Sequence, residues 1–128
     1  MSAIRRRGKA LLESVWGSPP PSPVTKEITE ITERYLFGEI WLRPKLNLRD
    51  RSLITLAALT VLGRERQLRS HLRASFKLGL TLDELKEMLI HLANYGGWPC
   101  AATAFAILEE VLAEKAKPAS KRKRRTRK

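Results

Sequence analysis

One cysteine, Cys100, stands alone in 128 residues, so the chain can form no internal disulfide and no Cys₂ or Cys₄ metal site. A reducing compartment is the default, and the chain is read as cytoplasmic. Only two histidines are present, His71 and His91, short of the three protein ligands a catalytic zinc needs. Glu87-x-x-x-His91 is therefore too short a signal for a metal. No stretch approaches the roughly 18 apolar residues of a membrane span, because Glu13 and Ser14 interrupt even the patch from Ala10 to Trp16. No segment requires a β-strand.

Acid is scarce, with 13 Asp and Glu against 25 Lys and Arg and a formal charge of +12. A charge of that size attracts polyanions, but its location decides what it means. Residues 1–23 carry +3 and residues 117–128 carry +8, which leaves the body at +1. A near-neutral body is not shaped to grip a duplex. The run Lys121 to Lys128 has seven positive residues in eight and predicts a disordered tail, able at most to hold nucleic acid or an anionic surface loosely.

The organisation follows from the breakers. Ile4 to Trp16 has the pattern of a short amphipathic helix, and Gly17-Ser-Pro-Pro-Pro-Ser-Pro23 then forces an extended linker, which predicts a flank (1–23) separate from the body (24–116). From Thr25, Ile28, Ile31, Tyr35 or Leu36, and Ile40 recur at three-to-four spacing, with Lys26, Glu27, Glu30, Glu33 and Arg34 on the opposite side. Pro44 sets the latest end of that helix. Asn47 or Asp50 caps a helix that is apolar almost all round, ending near Gly63; a third runs from Glu65 to Leu78. Thr81-Leu-Asp-Glu84 is a capping box opening a fourth, and a last helix covers Ala101 to Lys115. An all-α domain of five to six helices results. A helix apolar all round in a body of 93 residues also predicts a homo-oligomer.

The chemistry concentrates in Phe37 to Ser52, where Glu39, Arg43, Arg49, Arg51 and Trp41 surround one Pro-containing bend, and in His71 nineteen residues after Ser52. Arg forks suit carboxylates and an imidazole moves protons near neutral pH, so the set fits a small organic acid.

The strings Phe37-Gly-Glu-Ile-Trp-Leu-Arg-Pro-x-Leu, Arg51-Ser-Leu-Ile-Thr-Leu-Ala-x-Leu, Leu62-Gly-Arg, His71-x-Arg-x-Ser, Gly79-x-Thr-x-Asp-Glu-x-x-Glu87 and Tyr95-x-Gly-Trp-Pro-x-Ala102 resemble the carboxymuconolactone decarboxylase family over about Thr25 to Leu112. The resemblance implies an alkylhydroperoxidase-D-like helical fold, a hexamer built as a trimer of dimers, and cofactor-free loss of CO₂ from 4-carboxymuconolactone in aromatic catabolism. The superfamily's peroxide reductases carry a Glu, Cys-x-x-Cys and His relay. Its positions fall here on Ser52, Arg64, Gln67 and His71, so dithiol peroxide reduction is excluded for want of thiols.

With that reading, His71 is the proton donor and Arg51 or Arg43 binds a substrate carboxylate. Glu39 is a general acid or an ion-pair partner of either arginine, and Trp41, Tyr95 and Trp98 are candidate pocket walls. Two alternatives stand beside the lyase: a family member that isomerises or hydrolyses another small acid, and a non-catalytic helical oligomer that binds polyanions through its basic tails.

Overall fold

The computed structural model describes residues 1–117; the basic run 118–128 lies outside the described residues. Among the described residues six α-helices occur in chain order: α1 (Ala3–Trp16), α2 (Lys26–Ile31), α3 (Leu48–Leu62), α4 (Glu65–Ser75), α5 (Leu82–Gly96) and α6 (Trp98–Ala116). Between α2 and α3 the chain continues from α2 as a π-helical segment, Thr32–Ile40. Among the described residues there is no strand, so the all-α expectation holds. No helix of the described residues is long and apolar enough to cross a membrane.

The ends of the helices follow local chemistry. Asn47 Oδ1 accepts from the Asp50 amide at 2.7 Å and caps α3. Gly63 then stops α3 in the left-handed region at φ 71°, its amide returning to Leu59 and Thr60. The capping box of α5 forms in both directions, with Glu84 N to Thr81 Oγ1 and Thr81 N to Glu84 Oε1 each at 3.1 Å.

Helices α3 to α6 bury one another's apolar faces around Leu56, Leu68, Leu72, Leu85, Leu89, Leu108 and Val111. Each large aliphatic side chain withdrawn from water stabilises the fold by about 1.5–3 kcal/mol, so this cluster is the main source of stability. Salt bridges tie its rim: Arg49 to Glu84, Arg69 to Glu110, and Arg73 to Glu114 at 3.1 Å. These pairs are exposed or half-exposed and each adds little.

Two sequence expectations change. The flank is not separate: α1 lies along the π segment and touches α4. Gly8 and Gly38 make this possible, since a Cβ on Gly8 would overlap the Glu33 carbonyl and stand 2.5 Å from the Gly38 amide, and one on Gly38 would stand 2.6 Å from the Ile4 carbonyl. Arg5 then reaches Glu33, Nε to Oε2 at 2.8 Å, and that hydrogen bond holds the guanidinium pKa above its ordinary value. Glu33 is 5% exposed.

The second change concerns which side of the Thr25–Ile40 stretch faces inward. The stripe Ile28, Ile31, Tyr35, Leu36 is exposed, while Glu33, Phe37, Gly38 and Trp41 are buried. The inner side is the one that meets α1: Glu33 receives Arg5, Gly38 lies against Ile4, and Phe37 and Trp41 pack on Trp16, while the i→i+5 bonding of the π segment (Trp41 N to Leu36 O, 2.8 Å) lets positions four and five apart share that face.

Gly8→Ala must push α1 off the π segment, because backbone atoms rather than flexible side-chain ends occupy the space. A loss of about 1–3 kcal/mol is expected from such overpacking, measured as a lower urea midpoint with a red-shifted tryptophan emission. An unchanged midpoint would show that α1 is not docked as described.

Candidate functional site

His71 lies mid-way along α4, on the side that meets α1. Its ring sits in an aromatic box built by two other elements. Trp41, at the end of the π segment, stacks on it with centroids 6.4 Å apart at 30°, and Trp16, the last residue of α1, meets it edge-on at 5.3 Å and 63°. Trp16 also packs on Trp41 at 5.2 Å and on Phe37 at 4.9 Å, so the three aromatic rings brace one another around the imidazole. Phe37 and Trp41 are four residues apart on the inner face of the π segment, which is why both meet Trp16.

The box is short of hydrogen-bond partners. Nδ1 of His71, Nε1 of Trp16 and Oγ of Ser52 are the buried side-chain polar atoms without a partner among the described residues. They come from α4, α1 and α3, and α4 packs against both of the others. Leaving such a group unpaired costs about 1–3 kcal/mol, and native structures keep few of them. Burial also pushes the His71 pKa below its ordinary value, so the free imidazole is neutral at pH 7.

The bend after the π segment is held by Arg51 of α3. Its Nε donates to the Leu46 carbonyl at 3.1 Å and its Nη2 to the Arg43 carbonyl at 3.0 Å. The guanidinium expected to grip a substrate carboxylate is thus turned onto the backbone of the loop that follows Trp41. Arg43 itself is exposed, and its side chain joins no ion pair among the described residues. Arg49 pairs with Asp50 at 3.3 Å and with Glu84.

Of the residues singled out in the sequence, the fold brings His71 and Trp41 together and sets Arg51 to brace their loop. Glu39 is exposed and takes part in none of the ion pairs among the described residues, so the expected link to Arg43 or Arg51 is not made in this chain. Tyr95 and Trp98 are 78% and 73% exposed, where α5 ends and α6 begins. Tyr95 stacks on His91 at 5.0 Å. Neither ring pairs with the imidazole of His71 among the described residues. Two clefts, of about 600 Å³ beneath the Pro-rich linker and about 200 Å³ beside Thr60, Pro99 and Cys100, are lined by neither His71 nor Arg51.

The residue that sequence reasoning missed is Trp16. Its signal is the stripe Leu11, Leu12, Val15, Trp16, buried or half-buried in the structure, which marks an inward face on the flank.

Comparison with known proteins places the chain in a family. The model of the Carboxymuconolactone decarboxylase family matches residues 26–110. A 4-carboxymuconolactone decarboxylase of Acinetobacter baylyi is 45% identical over 86 residues, 67% of this chain and 64% of that protein. A nitrosuccinic acid decarboxylase of Metarhizium robertsii is 29% identical over 91 residues, 71% of this chain and 64% of that protein. An uncharacterised 15.0 kDa protein of Paracoccus denitrificans is 35% identical over 80 residues, 61% of this chain and 60% of that protein. The chain therefore aligns with somewhat under two thirds of the length of these relatives.

Because burial favours the neutral imidazole in the folded state, the unfolded chain binds the His71 proton more readily. This contribution to stability is present above the unfolded pKa of about 6.5 and is lost as the pH falls through the lower folded value. The urea midpoint of the native chain is expected to drop more between pH 7.5 and pH 5 than that of His71→Gln; equal drops would contradict the buried, unpaired imidazole.

Proposed function

The chain belongs to the carboxymuconolactone decarboxylase family, and from that premise we propose that it is a cofactor-independent carboxy-lyase acting on a small lactone or oxo-acid, with 4-carboxymuconolactone as the substrate to try first. The observation that carries the reading is the imidazole of His71, half-buried in an aromatic box with an unpartnered Nδ1. A dithiol redox site would call for thiols beside the imidazole, and the relay positions hold Ser52, Arg64 and Gln67 instead of Glu and two cysteines. The two relatives named as decarboxylases are named for different acids, which supports the reaction class more firmly than any one substrate.

In the proposed reaction the bond between the ring carbon and the departing carboxylate breaks. Its electron pair delocalises into the conjugated lactone carbonyl as CO₂ leaves. A proton from His71 then reaches carbon to give the enol-lactone, and solvent returns a proton to the imidazole. A dry box suits this sequence, since the departing carboxylate loses its hydration while the charge that develops on the lactone is neutral overall with the imidazolium. Burial lowers the free imidazole's pKa, but an anionic substrate beside it raises the affinity for a proton, so binding of the acid charges the donor that the chemistry needs.

The arginines divide the remaining work. Arg51 is a positioning residue that fixes the loop through two carbonyls, and Arg43, two residues after the Trp41 that stacks on His71, is the cation free to meet a carboxylate. The exposed apolar residues fit the proposed homo-oligomer, a hexamer by family resemblance: Ile28, Ile31 and Tyr35 form one stripe. Val61, Leu62, Tyr95 and Trp98 form another patch, gathered where Gly96 packs against Val61 and Cys100. Glu39 would gain its role, if any carboxylate is needed, only at such a junction.

The reading is tested with purified protein and 4-carboxymuconolactone, following loss of the ultraviolet absorbance and release of CO₂. His71→Ala is expected to abolish turnover. Arg43→Ala is expected to raise KM about 10- to 100-fold, the value of one charge-assisted hydrogen bond, with a smaller change in kcat. Failure of the wild-type chain to turn over the lactone would remove this substrate. The pH profile supplies a second check: kcat/KM is expected to fall as the pH rises, with a midpoint below about 6.5 that reports the free imidazole, and the kcat midpoint is expected to lie higher. A kcat/KM that rises with pH would make His71 a base rather than an acid.

Assembly is checked by light scattering. Ile31→Asp on the α2 stripe is expected to lower the mass of the particle, and a monomeric wild-type chain would remove the oligomer from the proposal.

A further inference from the structure

Trp16 belongs to a flank that the family match, residues 26–110, does not include, yet several features of that flank serve to place it. Gly8 lets α1 lie directly on the π segment, Arg5 is locked to buried Glu33, and Gly17, at φ 87°, turns the chain away immediately after the indole and returns its amide to Glu13 at 3.1 Å. The indole arrives edge-on against both Trp41 and His71, where Nε1 is buried and donates to nothing. Nδ1 of His71, in the same box, is likewise unpartnered, and the two nitrogens do not bond each other.

An apolar aromatic such as Phe would close the box equally well and bury no N–H. An indole N–H is a donor only, so what satisfies it is an acceptor oxygen. A side chain held in a dry site with its donor unused is shaped for something that enters.

We propose that Trp16 is a substrate-binding residue of the His71 site, whose Nε1–H donates to an oxygen of the bound acid and so sets which acids the chain accepts. The inference rests on the lyase reading for the identity of that acid and adds to it a residue from outside the matched region. In the free chain the two nitrogens are closed to water. The ligand therefore enters by displacing the end of α1, where Trp16 is followed by the exposed Pro-rich linker while the helix stays anchored through Gly8 and Arg5.

The acceptor that fits is a carboxylate or lactone carbonyl oxygen held between indole and imidazole. An acid lacking an oxygen at that point would leave the N–H buried and unpaired in the complex, which is how a single donor discriminates. A ligand that merely filled the box with apolar surface would gain nothing from the indole over a phenyl ring.

The test compares the full-length wild-type chain with Trp16→Phe, which keeps an aromatic ring and removes the donor, and Trp16→Ala, which empties the space. With 4-carboxymuconolactone, Trp16→Phe is expected to raise KM about tenfold and to leave kcat within about twofold, the signature of a lost binding hydrogen bond. An unchanged KM in Trp16→Phe would overturn the inference, as would a Trp16→Ala variant with higher kcat/KM than wild type, which would make the indole a plug rather than a ligand.

If the wild type does not turn the lactone over, the lyase reading fails on its own, and binding decides the inference. The three indole N–H resonances of the ¹⁵N-labelled chain include one that disappears in Trp16→Phe. Movement of that resonance to lower field when 4-carboxymuconolactone is added supports the hydrogen bond, and a resonance that does not move overturns it.

Discussion

The close crossing of α1 over the π segment is the constraint on which the candidate site depends. Two glycines, Gly8 and Gly38, bring backbone within reach of backbone, and no side chain larger than hydrogen fits at either point. Once the helices are that close, Arg5 meets Glu33 in a half-buried pair, and the end of α1 falls beside α4. Every ring contact to His71 from the flank follows from this approach. The π segment contributes the other half, because its inner face carries Phe37 and Trp41 against Trp16, while Ile28 and Ile31 of α2 and Tyr35 stay exposed.

The structure distributes its cations by task. Arg49, Arg69 and Arg73 link helices across the rim, Arg5 holds the flank, and Arg51 is spent on two carbonyls of the loop after Trp41. These are structural uses of a residue type that, in sequence, reads equally well as a carboxylate receptor. The distinction rests on partners: a guanidinium with its donors already satisfied by backbone has fewer left for a ligand, whereas the exposed Arg43 keeps all five.

A single chain of this size also leaves a good deal of apolar surface uncovered. The outward stripe of α2 and the patch of Val61, Leu62, Tyr95 and Trp98 lie on surfaces that α3 to α6 do not close by themselves. Surfaces of this kind commonly mark interfaces.

Much of the scaffold was legible in the sequence, because it is set by interactions between residues a few positions apart. The Asn47 cap, the stop at Gly63, the capping box at Thr81 and the spacing of the leucines in α3 to α6 are all short-range signals, and the motif strings carried the family. His71 and the Phe37 to Ser52 segment could be paired as a candidate site for the same reason: their residue types suit one chemistry. What only the tertiary structure decided is which groups share a space. The docking of α1 depends on two glycines thirty positions apart, the inner face of the π segment on one extra residue per hydrogen-bonded turn, and the partner of Arg51 on a loop backbone. None of these leaves a periodic trace, since each is a matter of atoms brought together from distant parts of the chain, and so Trp16 reached His71 unannounced.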